Sequence, residues 1–327
     1  VTTMVASVAA TLTAKAQRRR ATSPGASSFF QRTKGPMAIR NSTGVISGTP
    51  TAAQTASAYT ITLASSLPTI LNVSSAITGG TVGTLTITGL GATSLIISGL
   101  DNSSGTINTS RNFNVFNIAT GGNLAISGVT VSGAKTYNRE GGAFNNSSIL
   151  AISNSTISSN SSFYGGGIYN SGTLTVSNST LSNNFAEGYG FGNGGGIYNS
   201  ISGTATVSYS TISGNSGNSG NAGGVGGGIY NSGTLTVSYS TISNNFGNSG
   251  GGIFNSFSGT ATLTVSNSTL SNNSVFRDGG GITNGGTATF FNSTISGNSA
   301  SNGGGIVNSG TLTVNNSTLA NNSAFST

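Results

Sequence analysis

The 327-residue chain contains no cysteine and no histidine. Without cysteine there is no disulfide framework and no thiolate chemistry. Without either residue there is no zinc site of the usual ligands, no Ser-His triad and no Cys-His dyad. Charge is scarce as well: Asp, Glu, Lys and Arg make up 5% of the chain, against about 25% in ordinary globular proteins. Those few charges are unevenly placed. Lys15, Arg18, Arg19, Arg20, Arg32, Lys34 and Arg40 crowd the first 40 residues, which hold no acid. Beyond them Arg111, Lys135, Arg139 and Arg277 balance Asp101, Glu140, Glu187 and Asp278, so the body is neutral. A neutral body without a basic face argues against nucleic acid as a partner. No apolar run approaches the roughly 20 residues of a membrane helix, so no transmembrane segment is expected.

The scarcity of acids bears on catalysis. Glycoside hydrolysis needs two carboxylates about 5–10 Å apart across a cleft, and the four acids fall in different parts of the chain, two of them beside an arginine. Lyase chemistry that uses calcium needs clustered Asp, and calcium-binding glycine repeats need an Asp in each unit; neither pattern is present. The expectation is a protein that is not an enzyme, with no cofactor and no metal.

What the chain has instead is glycine, 52 residues of it, with Ser, Thr and Asn filling most of the remainder. The stretch GGGIYNSGTLTVSNST, 165–180, shows how they are arranged. Its glycines lack the following Lys-Ser/Thr of a phosphate loop, and the pattern recurs. Gly-Gly-Gly or a near match begins at Gly141, Gly165, Gly194, Gly226, Gly250, Gly279 and Gly303, at spacings of 24, 29, 32, 24, 29 and 24. The extra residues fall in only two places, between the Asn after the glycines and the Thr-x-Thr, and between the last Asn and the next glycines. A rigid unit with two elastic joints is a coil built of strands and corners. Alternation in TLTVS sends Leu174 and Val176 to one side and Thr173 and Thr175 to the other. Gly, Asn, Ser and Thr are poor helix formers, and no helical period is present. A lone 24-residue unit cannot bury its own Ile, Leu and Val; stacked units can. The expected fold is all-β, a parallel solenoid of about 24 residues and three short strands per coil.

Asparagine supports the stack. Asn146, Asn170, Asn199, Asn231, Asn255, Asn284 and Asn308 share one position in the repeat, and Asn160, Asn184, Asn215, Asn245, Asn273, Asn298 and Asn322 share another. An amide repeated on successive coils can bond its own copy one coil away, and Asn tolerates the left-handed backbone of sharp corners. Both columns read as structural ladders at corners. The Asn of VSNST is replaced by Tyr209 and Tyr239 in two units, so that position points outward.

Two further columns are candidate surface contacts. The residue after the Ile is Tyr169, Tyr198, Tyr230 and Phe254 in four consecutive coils, an aromatic ladder that suits a glycan, although such rings can also simply cover one another and the next corner. Thr173 and Thr175, Thr204 and Thr206, Thr234 and Thr236 open a Thr-x-Thr array that continues to Thr313. It is similar to the ice-facing surface of solenoid antifreeze proteins, although Thr is also simply a good outward strand residue.

The GGGIYNSGTLTVSNSTLSNN units resemble the right-handed parallel β-helix repeats of large bacterial surface proteins, and they are similar to the Gly-Gly-Ala-Ile repeats of the chlamydial polymorphic outer membrane proteins. The resemblance covers roughly 83–327. It departs from the chlamydial pattern in carrying no clear Phe-x-x-Asn in each unit and no β-barrel pattern within these residues. It implies a right-handed β-helix on the cell surface or outside the cell, with adhesive or structural work and a host or cell-surface ligand.

Three regions follow: a basic leader or docking segment at 1–40, irregular coils at 41–140 and seven regular repeats at 141–327. About eleven coils at the strand spacing give a rod roughly 50 Å long. The final unit ends at Asn322 with only SAFST after it. An uncapped strand edge is a template for another strand, so end-to-end self-association into a fibre is expected.

Overall fold

The alternation of the sequence is realised strand by strand. In Thr173–Ser177 the side chains of Leu174 and Val176 are buried while Thr173 and Thr175 are exposed. A computed structural model describes residues 114–136, 140–187, 192–217 and 223–325, together with the backbone of short strands between 12 and 99. No helix among the described residues is long and apolar enough to cross a membrane.

Each regular coil carries three strands, and each strand pairs in parallel with its equivalent one coil away. Ile168–Asn170 pairs with Ile197–Asn199, Thr173–Ser177 with Thr204–Ser208, and Thr180–Ser182 with Thr211–Ser213. From Thr173 onward the inward positions of the middle strand pair apolar on apolar and its outward threonines pair Thr on Thr, so the insertions between strands leave that register intact. Eight coils fill the described stretch, marked by the middle strands Asn123–Ser127, Ile149–Ser153, Thr173–Ser177, Thr204–Ser208, Thr234–Ser238, Thr262–Ser266, Thr287–Phe291 and Thr311–Asn315. Two further parallel strands, Tyr59–Ala64 and Thr84–Gly89, continue the same sheet upstream. Among the described residues that sheet therefore holds ten parallel strands, beside the expectation of about eleven coils.

The ladder crosses residue 141 without a change of register, since Leu124 pairs with Leu150 and Ile126 with Ile152. Further upstream only the backbone is described. There Leu12–Ala14 lies antiparallel to Ile70–Val73, and Phe29–Phe30 lies antiparallel to the end of Tyr59–Ala64. Asp101, Arg111, Arg139, the side chains of the basic leader and the loop residues 188–191 lie outside the described residues.

The core is a set of apolar columns running along the coil axis. Phe116 and Phe144 stack at 4.9 Å, and Ile168, Ile197, Ile229, Ile253 and Ile282 continue their column, all fully buried. A second column runs Leu150, Leu174, Ala205, Leu235, Leu263, Ala288, and a third Ile152, Val176, Val207, Val237, Val265, Phe290. Ala288 and Phe290 sit in one strand, small beside large, which conserves the volume of that coil. Each buried Ile or Leu contributes about 1.5–3 kcal/mol. Because every coil supplies the same few such residues, the core lengthens without thickening.

A fourth short element follows the second asparagine of the coil. Ser161–Ser162 pairs with Phe185–Ala186, and Phe246–Ser249, Ser274–Asp278, Ser299–Ala300 and Ser323–Ala324 form a separate small sheet. The glycines then turn the chain into the next coil. Gly226 has φ 70°, a conformation that any side chain strains. Two residues on, a Cβ at Gly228 would stand 2.6 Å from the Gly252 carbonyl oxygen and 3.1 Å from Asn245 Nδ2. The first glycine is required by angle and the third by space.

Candidate functional site

The two asparagine columns occupy the interior. In the first, Asn146 Nδ2 donates to Asn170 Oδ1 at 2.7 Å, and the chain of amides continues through Asn199, Asn231, Asn255 and Asn284 to Asn308 at 2.7–2.8 Å. The same Nδ2 reaches a strand carbonyl of the next coil, Thr173 O from Asn146 and Thr234 O from Asn199. In the second, Asn160 donates to Asn184 at 3.0 Å, and Asn215, Asn245, Asn273, Asn298 and Asn322 follow. Here Oδ1 also accepts the backbone N–H of the preceding ladder asparagine, as Asn215 Oδ1 does from Asn184 at 3.0 Å, while Asn215 Nδ2 donates to a core-strand carbonyl of the preceding coil, Leu181 O. Both donors and both acceptor positions of the amide are used. A buried polar group so satisfied is stable, and one deprived of partners is costly.

The left-handed corners lie beside these ladders rather than in them. Ser159, Asn183, Asn244, Asn272 and Asn321 have φ between 54° and 56°, with Gly214 and Gly297 at 64° in the same column. Each precedes a ladder asparagine, which itself is not at positive φ. The expectation that the ladder residues occupy the strained corner is therefore corrected. The exposed predecessor takes the unusual angle, and the ladder amide is held by its hydrogen bonds.

A third ladder is made of serine and was not anticipated. Ser155 N donates to Ser179 Oγ, Ser179 N to Ser210 Oγ, Ser210 N to Ser240 Oγ and Ser240 N to Ser268 Oγ, each at 3.1 Å. Each hydroxyl in turn donates to a carbonyl two residues earlier, Ser179 Oγ to Ser177 O at 2.7 Å. The signal was present, because the residue before the Thr of the third strand is Ser in every regular coil.

On the outside, Tyr169, Tyr198, Tyr230 and Phe254 form one stack, with ring centroids 5.2, 4.5 and 5.6 Å apart and planes within 9° of parallel. Tyr164 leans on Tyr198 and Phe257 meets Phe254 edge-on. The strand spacing of about 4.8 Å is also a ring-stacking distance, so the rings cover one another's faces. A sugar that stacks on an aromatic face finds the inner faces already occupied. Burial, and then the neighbouring phenols, push the Tyr198 hydroxyl well above its ordinary titration range. Burial and the nearby Glu140 carboxylate push Tyr169 the same way.

The threonine columns are in register throughout. Thr173 pairs with Thr204 and Thr175 with Thr206, then Thr234 and Thr236, Thr262 and Thr264, Thr287 and Thr289, and Thr311 and Thr313. The first threonine of each pair is exposed in all six coils.

The acids stay apart. Glu140 and Asp278 occupy the same position before the glycines, five coils away from each other along one column of bridges; at the strand spacing that is about 24 Å, far beyond the reach of paired carboxylates. Glu187 faces Lys135 at 3.7 Å, and Asp278 Oδ1 accepts a hydrogen bond from Asn302. Among the described residues no three metal-ligating side chains come together.

A family model described as the right-handed beta helix region matches residues 115–289, more than half of the chain. No curated protein and no solved structure matches it. The chain belongs to the right-handed β-helix family, and its solenoid is of that hand.

Proposed function

We propose that this right-handed β-helix protein is an extracellular or cell-surface structural rod, of the kind that bacteria display, serving as a fibre subunit or adhesive stalk without catalysis. The observation that carries this reading is the unbroken register of eight coils around fully bonded asparagine ladders. Such a stack converts sequence into length: every coil adds one strand spacing. A neutral surface of Ser, Thr and Asn stays hydrated, and a chain without cysteine carries no thiol or disulfide for the redox state outside the cell to change. Strand addition at a terminal coil is the mode of association this architecture offers. The strands Ile306–Asn308, Thr311–Asn315 and Thr318–Ala320 pair with the preceding coil on one edge.

Protease treatment of intact source cells, followed by immunodetection, tests the location. Digestion without lysis supports the reading, and protection until lysis overturns it. Electron microscopy of the purified chain over a wide concentration range tests the fibre: rods that lengthen with concentration support end-to-end addition, and single particles of constant length remove it.

A second reading rests on the threonine face. Two columns of hydroxyl and methyl groups, repeated on six coils in register, offer a lattice that can order water. Thermal hysteresis in concentrated protein would support ice as the ligand, and its absence would eliminate it.

A further inference from the structure

The corner between the Thr-x-Thr strand and the next one carries a column of exposed residues with left-handed backbone. Asn154, Asn178, Asn267, Asn292 and Asn316 hold it with φ between 46° and 49°. In two consecutive coils the residue is instead Tyr209, φ 49°, and Tyr239, φ 48°. Asparagine enters this conformation readily because its short amide bonds locally; a bulky side chain does so at a cost of about 1–2 kcal/mol. Burial does not offset that cost. Tyr209 is 60% exposed and Tyr239 54%, and among the described residues neither hydroxyl has a hydrogen-bond partner. What the pair does have is geometry. The rings lie 4.9 Å apart and within 4° of parallel, fixed from below by the strand pairing of Ser208 with Ser238.

Two exposed phenols held face to face are poised for oxidation. A tyrosyl radical carries its unpaired electron on the oxygen and on the ring carbons ortho to it, and in this pair the two rings are stacked and each residue is more than half exposed. The geometry points to Tyr209 and Tyr239 as a site of oxidative cross-linking, forming a dityrosine that locks adjacent coils together. The oxidant is a peroxide with a peroxidase. Each phenol gives up one electron and one proton. One carbon–carbon bond then forms between ortho carbons, and the hydrogen on each of those carbons moves as a proton to its phenolic oxygen, restoring both rings. In sum, two tyrosines and one hydrogen peroxide become one dityrosine and two waters. The Tyr169–Tyr198–Tyr230 stack is as close but half-buried, so access separates the two sites. A cross-link spanning one coil closes a loop in the unfolded chain and raises stability through its entropy.

The chemistry depends on the pair and an oxidant, not on where the protein resides, so its failure leaves the proposed function standing. The purified full chain is treated with a plant peroxidase and hydrogen peroxide, then analysed by dityrosine fluorescence, intact mass and peptide mapping. The expected result is a monomer lighter by two hydrogens, with Tyr209 and Tyr239 in one cross-linked peptide and a raised thermal midpoint. Tyr239→Asn, which installs the residue other coils use, removes the fluorescence and the mass change; Tyr198→Phe retains both. Cross-linking mapped to the Tyr169–Tyr198–Tyr230 stack, cross-linking only between molecules, or none at all overturns the proposal.

Discussion

Two columns rich in asparagine lie six residues apart in every regular coil, Asn178 and Asn184 in one, Tyr209 and Asn215 in the next, and they tolerate change very differently. The inner column is asparagine without exception, because both donors and both acceptor positions of its amide are committed to neighbouring coils. The outer column asks only for a left-handed backbone at an exposed corner, and two coils fill it with tyrosine. The comparison separates two reasons for the same residue: one position needs the chemistry of the side chain, the other only what the backbone can do. Identical residues at regular spacing are therefore not equally important.

The strongest way to break the inner column is to delete one amide. Asn215→Ala leaves the backbone and side-chain donors of Asn184 without their acceptor and the Leu181 carbonyl without its donor. At about 1–3 kcal/mol for each buried orphan, the loss is about 3–5 kcal/mol, read as a fall in the denaturant midpoint at unchanged slope. Next comes the glycine corner that lies against this ladder. Gly226→Ala sets a Cβ 2.6 Å from the Ile229 carbonyl oxygen at φ 70°, and about 2 kcal/mol of stability is lost on the same assay.

The aromatic stack sharpens the comparison through pH. The Tyr198 hydroxyl titrates higher in the folded chain than its ordinary value near 10, so the folded state holds this proton more tightly than the unfolded one. Its contribution is complete below pH 10 and is lost as pH rises beyond it. Thermal melts should fall above pH 10, and Tyr198→Phe should flatten that decline. The smallest effect belongs to the outer column. Tyr209→Asn relieves the strained corner but gives up a stacked pair worth about 0.5–1.5 kcal/mol, so the midpoint should move by no more than about 1 kcal/mol.

Much of this was legible in the sequence because a solenoid writes its register as a period. The recurrence of asparagine at the positions of Asn170 and Asn184 in every regular coil identified both ladders, and the replacement of Asn by Tyr209 and Tyr239 identified an outward position. Three things were harder to read. Ser155 and its equivalents stand in a sequence full of serine, where one buried hydroxyl looks like any exposed one. The short fourth strand is only two residues long in several coils, as in Ser161–Ser162, Phe185–Ala186 and Ser299–Ala300, too short to show an alternating pattern. The aromatic ladder was visible as a column, but whether its rings serve a ligand or cover one another was left open by the sequence. Stacking follows from the strand spacing itself, and it turns the rings toward one another rather than toward a ligand.

The central claim is that bonded inner amides, and not the repetition of asparagine as such, hold the coils together. One denaturant titration tests it on a single coil, comparing Asn245→Leu with Tyr239→Leu six residues away. The account predicts a loss of several kcal/mol for the first, which buries an apolar side chain against orphaned partners, and a change of about 1 kcal/mol or less for the second. Equal losses at the two positions would contradict it.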